Sequence, residues 1–397
     1  MGIHADAPEV ADPLEVGRLR DPHGVLTIYV DADPREQAAA RPSWVVSTEN
    51  GLREIRERVK SKGDRALWTA VFDRLDELEP EISNLLDPRR PGRGRALFAT
   101  IDGGVLRTAG LHLPLTNRVV LDDIAHLTPL VAALDRGRPV GILAVSHSDV
   151  RVLERRLGLV DEVTAVSLEP DTSEWREMKG PAAANPALAQ HAAPQHDRFE
   201  RRLEEHRVQA LEAATKSLED LSARRGWDSI LVAGERRLAD RLAAAFSREG
   251  MDVAVVDRSL GMLAPGDILA AVAPELEAAV VRREALLVTR ARDAALSGNA
   301  GAVGLADVLT ALDEGRVGHL LFDEDRSYAG ARTPDGRLVP AGVVPPGVEA
   351  TQLVEIPSLA GHLVERALAT DARVTPLSAA STEAIAEYDG VAALLRW

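Results

Sequence analysis

Residues 304–325 read GLADVLTALDEGRVGHLLFDED, which predicts a helix over 305–314 leading into a strand over 317–322. An amphipathic helix over 274–296 and a loop over 298–304 precede this stretch. The elements predicted after it are strands at 353–356, 373–376 and 391–395 and helices at 358–370 and 381–387. Alternating strands and helices indicate an α/β/α sandwich for the last third of the chain.

The region before this sandwich has a second α/β pattern. Its predicted elements are strands at 140–145, 150–153 and 162–168, a helix over 197–224, a strand at 229–234, a helix at 236–248 and a strand at 252–256. The last three form a β-α-β unit, which implies a right-handed parallel crossover. Residues 169–196 are rich in Ala, Pro and charged side chains and show no periodicity, so we expect a loop there.

The N-terminal region completes a chain that is too long for one hydrophobic core. After a polar start at 1–23, it predicts a strand at 25–30, helices at 47–60 and 63–86, and a hairpin of strands 96–101 and 105–109. We therefore expect an α/β protein of three domains. These are an N-terminal α/β domain at 1–137, a middle α/β domain at 138–272 and a C-terminal sandwich at 273–397.

The composition excludes several classes of function. The 397 residues contain no cysteine, which rules out disulfides, thiolate metal sites and a cysteine nucleophile. There is no secretory signal pattern and no apolar run long enough to span a bilayer, so we expect a cytoplasmic protein without a membrane partner. We also expect no DNA partner. The net charge of −15 argues against a generic RNA binder, which needs a basic surface to neutralise phosphates. Any contact with RNA must then use local arginine clusters, and other contacts must use protein surfaces. No cofactor is expected.

Two segments of the last third resemble the C-terminal domain of the archaeal and eukaryotic class I release factors and Pelota. Residues 304–325 are similar to a family helix reading GxxDVLxALExGAV followed by a strand reading LLISED. The end of the chain, YDGVAALLRW at 388–397, is similar to the family's FGGIGGILRY. The middle domain has the order of the family's second domain, which implies an RNase-H-like sheet.

In release factors, the loop before the long helix of that second domain holds the catalytic Gly-Gly-Gln. The equivalent stretch here is AAPQHDRFERR at 192–202, in which Arg198, Phe199 and Arg201 or Arg202 resemble the start of the family helix. Gln195 falls within one residue of the catalytic glutamine, but the glycines are absent. Pro194 fixes its own φ and restricts the residue before it, so the loop loses the conformational freedom that glycine supplies.

The resemblance implies a member of the bacterial branch of this family without Gly-Gly-Gln, a ribosome-binding protein that occupies the A site in hibernation or rescue. A translational GTPase is a further implied partner. Since stop-codon reading in the family involves a cysteine, we expect none here. The candidate residues for contact with the ribosome or its RNA are Gln195, His196, Arg198, Phe199, Arg201, Arg202 and Arg207.

Three alternatives stay open at this point. Gln195 keeps a backbone N–H, so peptidyl-tRNA hydrolysis on stalled ribosomes remains chemically possible. The arginines of 198–207 alternate with acidic residues, which is equally typical of a solvated helix face. The acidic balance also suits an RNA-binding or scaffold protein that acts off the ribosome.

Other interpretations of the motifs are weaker. His191, His196 and His206 lack the compact spacing of metal ligands, so no metal site is expected. A two-metal nuclease needs converging carboxylates, and the strand at 140–145 carries none. Gly234, between a strand and a helix, could begin a phosphate cradle, but an ordinary β-α turn explains it equally well.

Overall fold

The computed structural model describes residues 12–169, 189–248 and 251–397, with only the backbone described for 189–204 and 248. The chain divides into two compact units, Met1–Gly137 with Val281–Trp397, and Arg138–Val280. The predicted junction at 137/138 coincides with a boundary between the units. The predicted N-terminal and C-terminal domains have their own sheets but belong to one unit, so their division into separate domains stays a prediction.

The N-terminal part of the first unit is an antiparallel sheet with helices on one face. Its elements are α1 (Pro13–Gly17), β1 (Arg20–Asp31), a 3-10 helix (Pro34–Glu36), α2 (Ser43–Ser61), α3 (Arg65–Glu77), α4 (Glu79–Leu86), β2 (Gly94–Thr100), β3 (Leu106–Leu111), β4 (Arg118–Ile124) and α5 (Thr128–Arg136). The strand order is β3-β2-β1-β4, and the predicted β2–β3 hairpin is confirmed. The single helix predicted over 63–86 is wrong, because Pro80 has no N–H for a continuous helix and instead starts α4.

The side chains of β1 alternate between two cores, as the pleat of a strand requires. Leu26 and Ile28 pack with the helices α2, α3 and α4. Val25 and Tyr29 face the other way, into a core that they share with the C-terminal part of the chain. The N-terminal sheet is therefore buried on both faces.

The middle unit is a five-stranded mixed sheet covered by helices on both faces. Its elements are β5 (Val140–Val145), β6 (Asp149–Arg156), β7 (Leu159–Ser167), α6 (Ala189–Arg225), β8 (Ser229–Gly234), α7 (Arg236–Arg248), β9 (Asp252–Val256) and the start of α8 (Pro265–Leu296). The order is β7-β6-β5-β8-β9, with β5, β8 and β9 parallel, which confirms the β-α-β unit. Helices α6 and α7 pack on one face and α8 on the other.

The predicted loop at 169–196 needs correction. Residues 170–188 lie outside the described residues, and the remainder from Ala189 onward is helical, so Gln195 and His196 belong to α6. The sequence 189–193 is rich in Ala and Gln, which favour helix, and this preference outweighs the single hydrogen bond that Pro194 cannot make. Helix α8 also starts earlier than predicted, at Pro265 instead of 274, and continues through Pro274.

The C-terminal part of the first unit contains two sheets. Its elements after α8 are β10 (Gly301–Val303), α9 (Leu305–Asp313), β11 (Val317–Asp323), β12 (Gly330–Arg332), β13 (Leu338–Pro340), a 3-10 helix (Ala350–Gln352), β14 (Val354–Ile356), α10 (Ala360–Ala369), β15 (Arg373–Leu377), a 3-10 helix (Glu383–Tyr388) and β16 (Val391–Leu395). The larger sheet has the order β10-β16-β11-β15, and β13-β12-β14 form a small second sheet. The loop predicted at 298–304 is wrong in part, because it contains the edge strand β10.

The predicted α/β class is confirmed by these mixed layers. None of the helices in the described part of the chain is both long and apolar enough to cross a bilayer.

Candidate functional site

Several chain segments meet at one edge of the middle sheet, which we call the carboxyl edge. Strands β5 and β8 both end there, since Val145 is in register with Gly234. The antiparallel β6 starts and β7 ends at the same level, where Asp149 is in register with Ser167. The carboxyl edge therefore comprises the turns 146–149 and 234–237 and the end of β7.

The turn at 146–149 is hydrogen-bonded to the residues that follow β7, where the chain leaves the sheet. The Ser146 hydroxyl oxygen accepts hydrogen bonds from the N–H groups of Ser148 (3.1 Å) and Asp149 (3.0 Å). The Leu168 N–H donates to the Ser148 carbonyl at 2.7 Å, and Leu168 is fully buried. The start of the predicted loop is thus fixed at the carboxyl edge.

The second turn has no room for a side chain at Gly234. Its φ is +126°, and a Cβ built there would lie 1.8 Å from the Val145 carbonyl oxygen. The next residue, Glu235, accepts hydrogen bonds from the N–H groups of Leu238 (2.9 Å) and Arg237 (3.3 Å). The start of α7 is therefore capped by its own carboxylate, so the ordinary β-α turn explains Gly234 and a phosphate cradle is not needed.

The opposite end of the middle unit anchors the base of α6. The Trp227 ring lies under Gly141, where a Cβ would come within 2.3 Å of the ring. The Trp227 indole N–H donates to the buried Glu154 carboxylate at 2.8 Å, and Arg156 donates to the other carboxylate oxygen at 2.9 Å. Arg156 also donates to the carbonyl of Arg225, the last residue of α6, at 2.8 Å.

Two opposing effects set the pKa of the Glu154 carboxyl. Burial is the larger single effect and raises its pKa, because it disfavours the charged form. The hydrogen bonds from Arg156 and Trp227, with the positive charges of Arg156 and Arg225, together outweigh burial and leave the pKa of Glu154 below its ordinary value. Glu154 is therefore an ionised anchor in the fold.

Helix α6 extends well beyond the part that packs on the sheet. Among its residues with described side chains, the buried positions are Leu211, Ala214, Leu218 and Ser222, which follow helical spacing. The helix has 37 residues, so it is about 55 Å long at about 1.5 Å per residue. Strand β5 spans only about 20 Å at about 3.3 Å per residue. The N-terminal half of α6 therefore projects past the carboxyl edge, and Gln195 lies about 24 Å along the helix from Leu211.

The structure brings the predicted site residues onto this one projecting helix. Positions 195, 198, 199 and 202 share one face, because they are spaced by three, four and seven residues. That face does not continue the docked one, since positions 195 and 211 are offset by about 160° at about 100° per residue. His196 and Arg201 occupy other faces of the same half-helix.

Arg207 lies at the end of the docked part of α6. Its side chain is half-buried, and its Nε has no hydrogen-bond acceptor among the residues that the structure describes. Arg207 is thus the first residue of α6 whose described side chain is partly buried.

The described residues bring together no converging carboxylates at the centre of the middle sheet. Strand β5 carries no acidic side chain, and Glu154 on β6 is held by Trp227 and Arg156. Among the described ranges, one group with the ligand types and closeness of a metal site occurs, in the first unit, and consists of Asp21, His23 and Asp102. Asp21 already accepts from the backbone N–H groups of the other two, at 2.8 Å each, and these contacts explain why the three residues lie close together.

Residues 139–273, nearly the whole of the middle unit, match the model of bacterial archaeo-eukaryotic release factor family 5, baeRF family 5. The middle unit is therefore similar to this family. The chain is also similar to the uncharacterized protein YocB of Bacillus subtilis (strain 168). The two are 18% identical over 230 residues, which cover 58% of this chain and 84% of YocB.

Three solved structures found to be similar to the chain illustrate the range of the matches. The archaeal translation termination factor aRF1 is 14% identical, with 96% of this chain and 95% of that chain covered and a TM-score of 0.25. Archaeal Pelota, in a model of ribosome-bound Pelota and ABCE1, is 15% identical, with 77% of each chain covered and a TM-score of 0.40. Dom34 of S. cerevisiae, described as interacting with Hbs1, is 10% identical, with 77% and 80% covered and a TM-score of 0.38.

Proposed function

We propose that this release-factor-like protein binds the ribosome and occupies the A site without reading stop codons, in hibernation or rescue. One observation carries the proposal. The chain has a release-factor-like middle unit, yet its sequence contains no Gly-Gly-Gln tripeptide. A protein that keeps the body of a release factor without its catalytic tripeptide is suited to occupy the A site without hydrolysing the ester bond of peptidyl-tRNA.

The backbone position of Gln195 supports occupancy over hydrolysis. Gln195 is the seventh residue of α6. Only about the first four N–H groups of an α-helix lack an intrahelical acceptor. The Gln195 N–H is therefore directed at the carbonyl of residue 191, which removes it as a donor to a developing oxyanion. Peptidyl-tRNA hydrolysis through Gln195 would need this part of the helix to unwind.

The charge balance restricts how the ribosome is contacted. With a net charge of −15, the surface as a whole repels RNA, so binding depends on where cations are concentrated. Arg198, Arg201 and Arg202 lie on the projecting half of α6, ahead of the packed body. We propose that this half-helix contacts the ribosomal RNA near the acceptor end of the tRNA. The C-terminal part of the first unit would contact the ribosomal stalk or a translational GTPase.

Binding and hydrolysis are tested with the same purified protein. Vacant ribosomes are sedimented with increasing protein, and ribosomes carrying peptidyl-tRNA are assayed for peptide release. Saturable sedimentation without release is the expected result. Release by the wild type that Gln195→Ala abolishes would establish the hydrolase alternative, and absence of sedimentation would leave the scaffold alternative.

A further inference from the structure

The first unit contains a cavity of about 320 Å³ that the proposed function does not use. Its walls come from β4, the start of α5, the segment 324–327 and the start of α10. This volume is at the lower end of the range of about 300–1,000 Å³ that is usual for small-molecule sites. The cavity is therefore large enough for a small metabolite.

Two helices begin at this cavity without a side-chain cap. Helix α5 starts at Thr128 and α10 at Ala360, and the residue before each is a leucine, whose side chain cannot accept a hydrogen bond. The Ala360 N–H donates to the Ser358 hydroxyl at 3.5 Å. Within the described part of the chain, no acceptor faces the N–H groups of Thr128, Gly361 or His362. Free N–H groups and the helix dipole make such starts favourable for an anion.

A separate observation is the hydroxyl of Thr128. This side chain is 3% exposed and lines the cavity, and its Oγ1 has no hydrogen-bond partner among the described residues. A buried hydroxyl without a partner carries a desolvation penalty, which a hydrogen-bonding ligand in the cavity removes.

Two arginines line the cavity, and one of them, Arg326, is paired with the Asp389 carboxylate at 3.7 Å. The Arg118 guanidinium lines it and contacts His126 Nε2 at 3.3 Å, and among the described residues no carboxylate lies within ion-pair distance of it. Burial lowers the pKa of His126 and of His362 to about 4, so both rings are neutral and can donate or accept.

The acidic groups of the lining do not cancel this cation. Glu324 is paired with Arg136, and burial raises the pKa of both Glu324 and Asp122. Asp325 is exposed to solvent. Asp122 and Asp325 are suited to accept hydrogen bonds from the hydroxyl groups of a sugar.

We propose that this cavity binds a phosphate monoester of a sugar or nucleoside, with the phosphoryl group against Thr128, the first turn of α10 and Arg118. The N–H groups and the Thr128 hydroxyl donate to phosphate oxygens, and Arg118 supplies the counter-charge. The carboxylates of Asp122 and Asp325 accept hydrogen bonds from the sugar hydroxyls. Ribosome binding by the projecting half of α6 does not depend on this site.

The test measures binding of inorganic phosphate, adenosine 5′-monophosphate and adenosine to the full-length protein by calorimetry and thermal shift. Adenosine 5′-monophosphate is expected to bind and raise the melting temperature, inorganic phosphate to bind more weakly, and adenosine not to bind. Thr128→Val and Arg118→Gln should each weaken binding by on the order of tenfold, the value expected from losing one hydrogen bond to a charged group.

Matched variants control for effects on folding. Thr48 is also a buried threonine whose Oγ1 lacks a partner in the described structure, but it lies in α2 away from the cavity. Thr48→Val and Arg107→Gln, an exposed arginine on β3, should leave nucleotide binding unchanged. Equal binding of adenosine and its monophosphate, no binding of the monophosphate, or full binding by Thr128→Val would overturn the proposal.

Discussion

Gly234 is a residue of the middle sheet at which a side chain would collide with the backbone of a neighbouring strand. Gly234→Ala places a Cβ against the Val145 carbonyl oxygen at a φ that side chains rarely adopt. We expect the free energy of unfolding to fall by about 3 kcal/mol, in a urea titration of the full-length protein. Gly266→Ala is the control, since nothing lies within 4 Å of its Cβ position, and its effect should stay within about 1 kcal/mol. Equal effects of the two substitutions would contradict the close approach.

The Glu154 carboxyl gives a prediction for the pH dependence of stability. Because its pKa in the folded protein lies below the ordinary value of 4.5, Glu154 stabilises the fold above that pH. This contribution is lost as pH falls through the lower, folded-state pKa. Glu154→Gln should therefore lower the free energy of unfolding by about 1–3 kcal/mol at pH 7.

The measurement is a set of urea titrations between pH 7 and pH 3. The difference between wild type and Glu154→Gln should shrink as the pH falls below about 4.5. The exposed Glu57→Gln serves as the control, with no such pH-dependent difference. A difference that stays constant down to pH 3 would show that Glu154 is not an ionised anchor.

At the scale of elements, α6 is the part of the molecule on which the proposed function depends. Reversing Arg198, Arg201 and Arg202 to Glu should weaken ribosome binding by at least about tenfold and flatten its salt dependence, because phosphate contacts are lost. The control reverses three exposed arginines of the first unit, Arg53, Arg65 and Arg107, which changes the net charge equally. The test is sedimentation at several salt concentrations, and equal weakening in both triple variants would rule out a specific role for α6.

Element prediction from the sequence succeeded where the pattern is local. The apolar run at 229–234 and the helix after it were enough to predict the β-α-β unit. It failed where a proline was weighed wrongly. The single helix predicted over 63–86 contains Pro80, which lies in the first turn of a second helix, and the loop predicted over 169–196 contains Pro194, through which α6 continues. A proline removes one hydrogen bond, and its neighbours decide whether the helix survives that loss.

At the scale of the whole molecule, the N-terminal and C-terminal parts share a core and are joined by ion pairs. Arg20 contacts Glu365 at 2.6 Å, Arg332 contacts Asp123 at 2.7 Å, and Arg283 contacts Asp135 at 2.5 Å. Leu363, fully buried in α10, belongs to this common core. Leu363→Ala should cost about 2–5 kcal/mol through the cavity that it leaves.

Hydrogen exchange measures whether Leu363→Ala destabilises both the N-terminal and the C-terminal part of the first unit. In Leu363→Ala, the amide protection of β1 and β2 should fall together with that of β11 and β16. Leu231→Ala, fully buried in the middle unit, is the control and should leave β1 and β2 protected. Unchanged protection of β1 and β2 in Leu363→Ala would instead support the three independent domains that the sequence predicts.

The cavity of the first unit could not be predicted from the sequence. Arg118 and Thr128 lie in neighbouring segments, but His362 comes from a segment 234 positions beyond Thr128, and no motif relates the three. The pairing of Glu154 with Trp227 joins residues 73 positions apart and is equally invisible in a local pattern. By contrast, the predicted site residues all lie within the short segment from Gln195 to Arg207, so their common helix follows from local sequence once the start of that helix is known.

The most direct test of the central claim is sedimentation of the wild-type protein with vacant ribosomes, with and without tRNA bound in the A site. Occupancy of that site predicts saturable binding to vacant ribosomes that A-site tRNA abolishes, while tRNA in the P site alone leaves it intact. Binding that persists at full strength with the A site filled would contradict the proposal, as would the absence of binding at near-physiological salt.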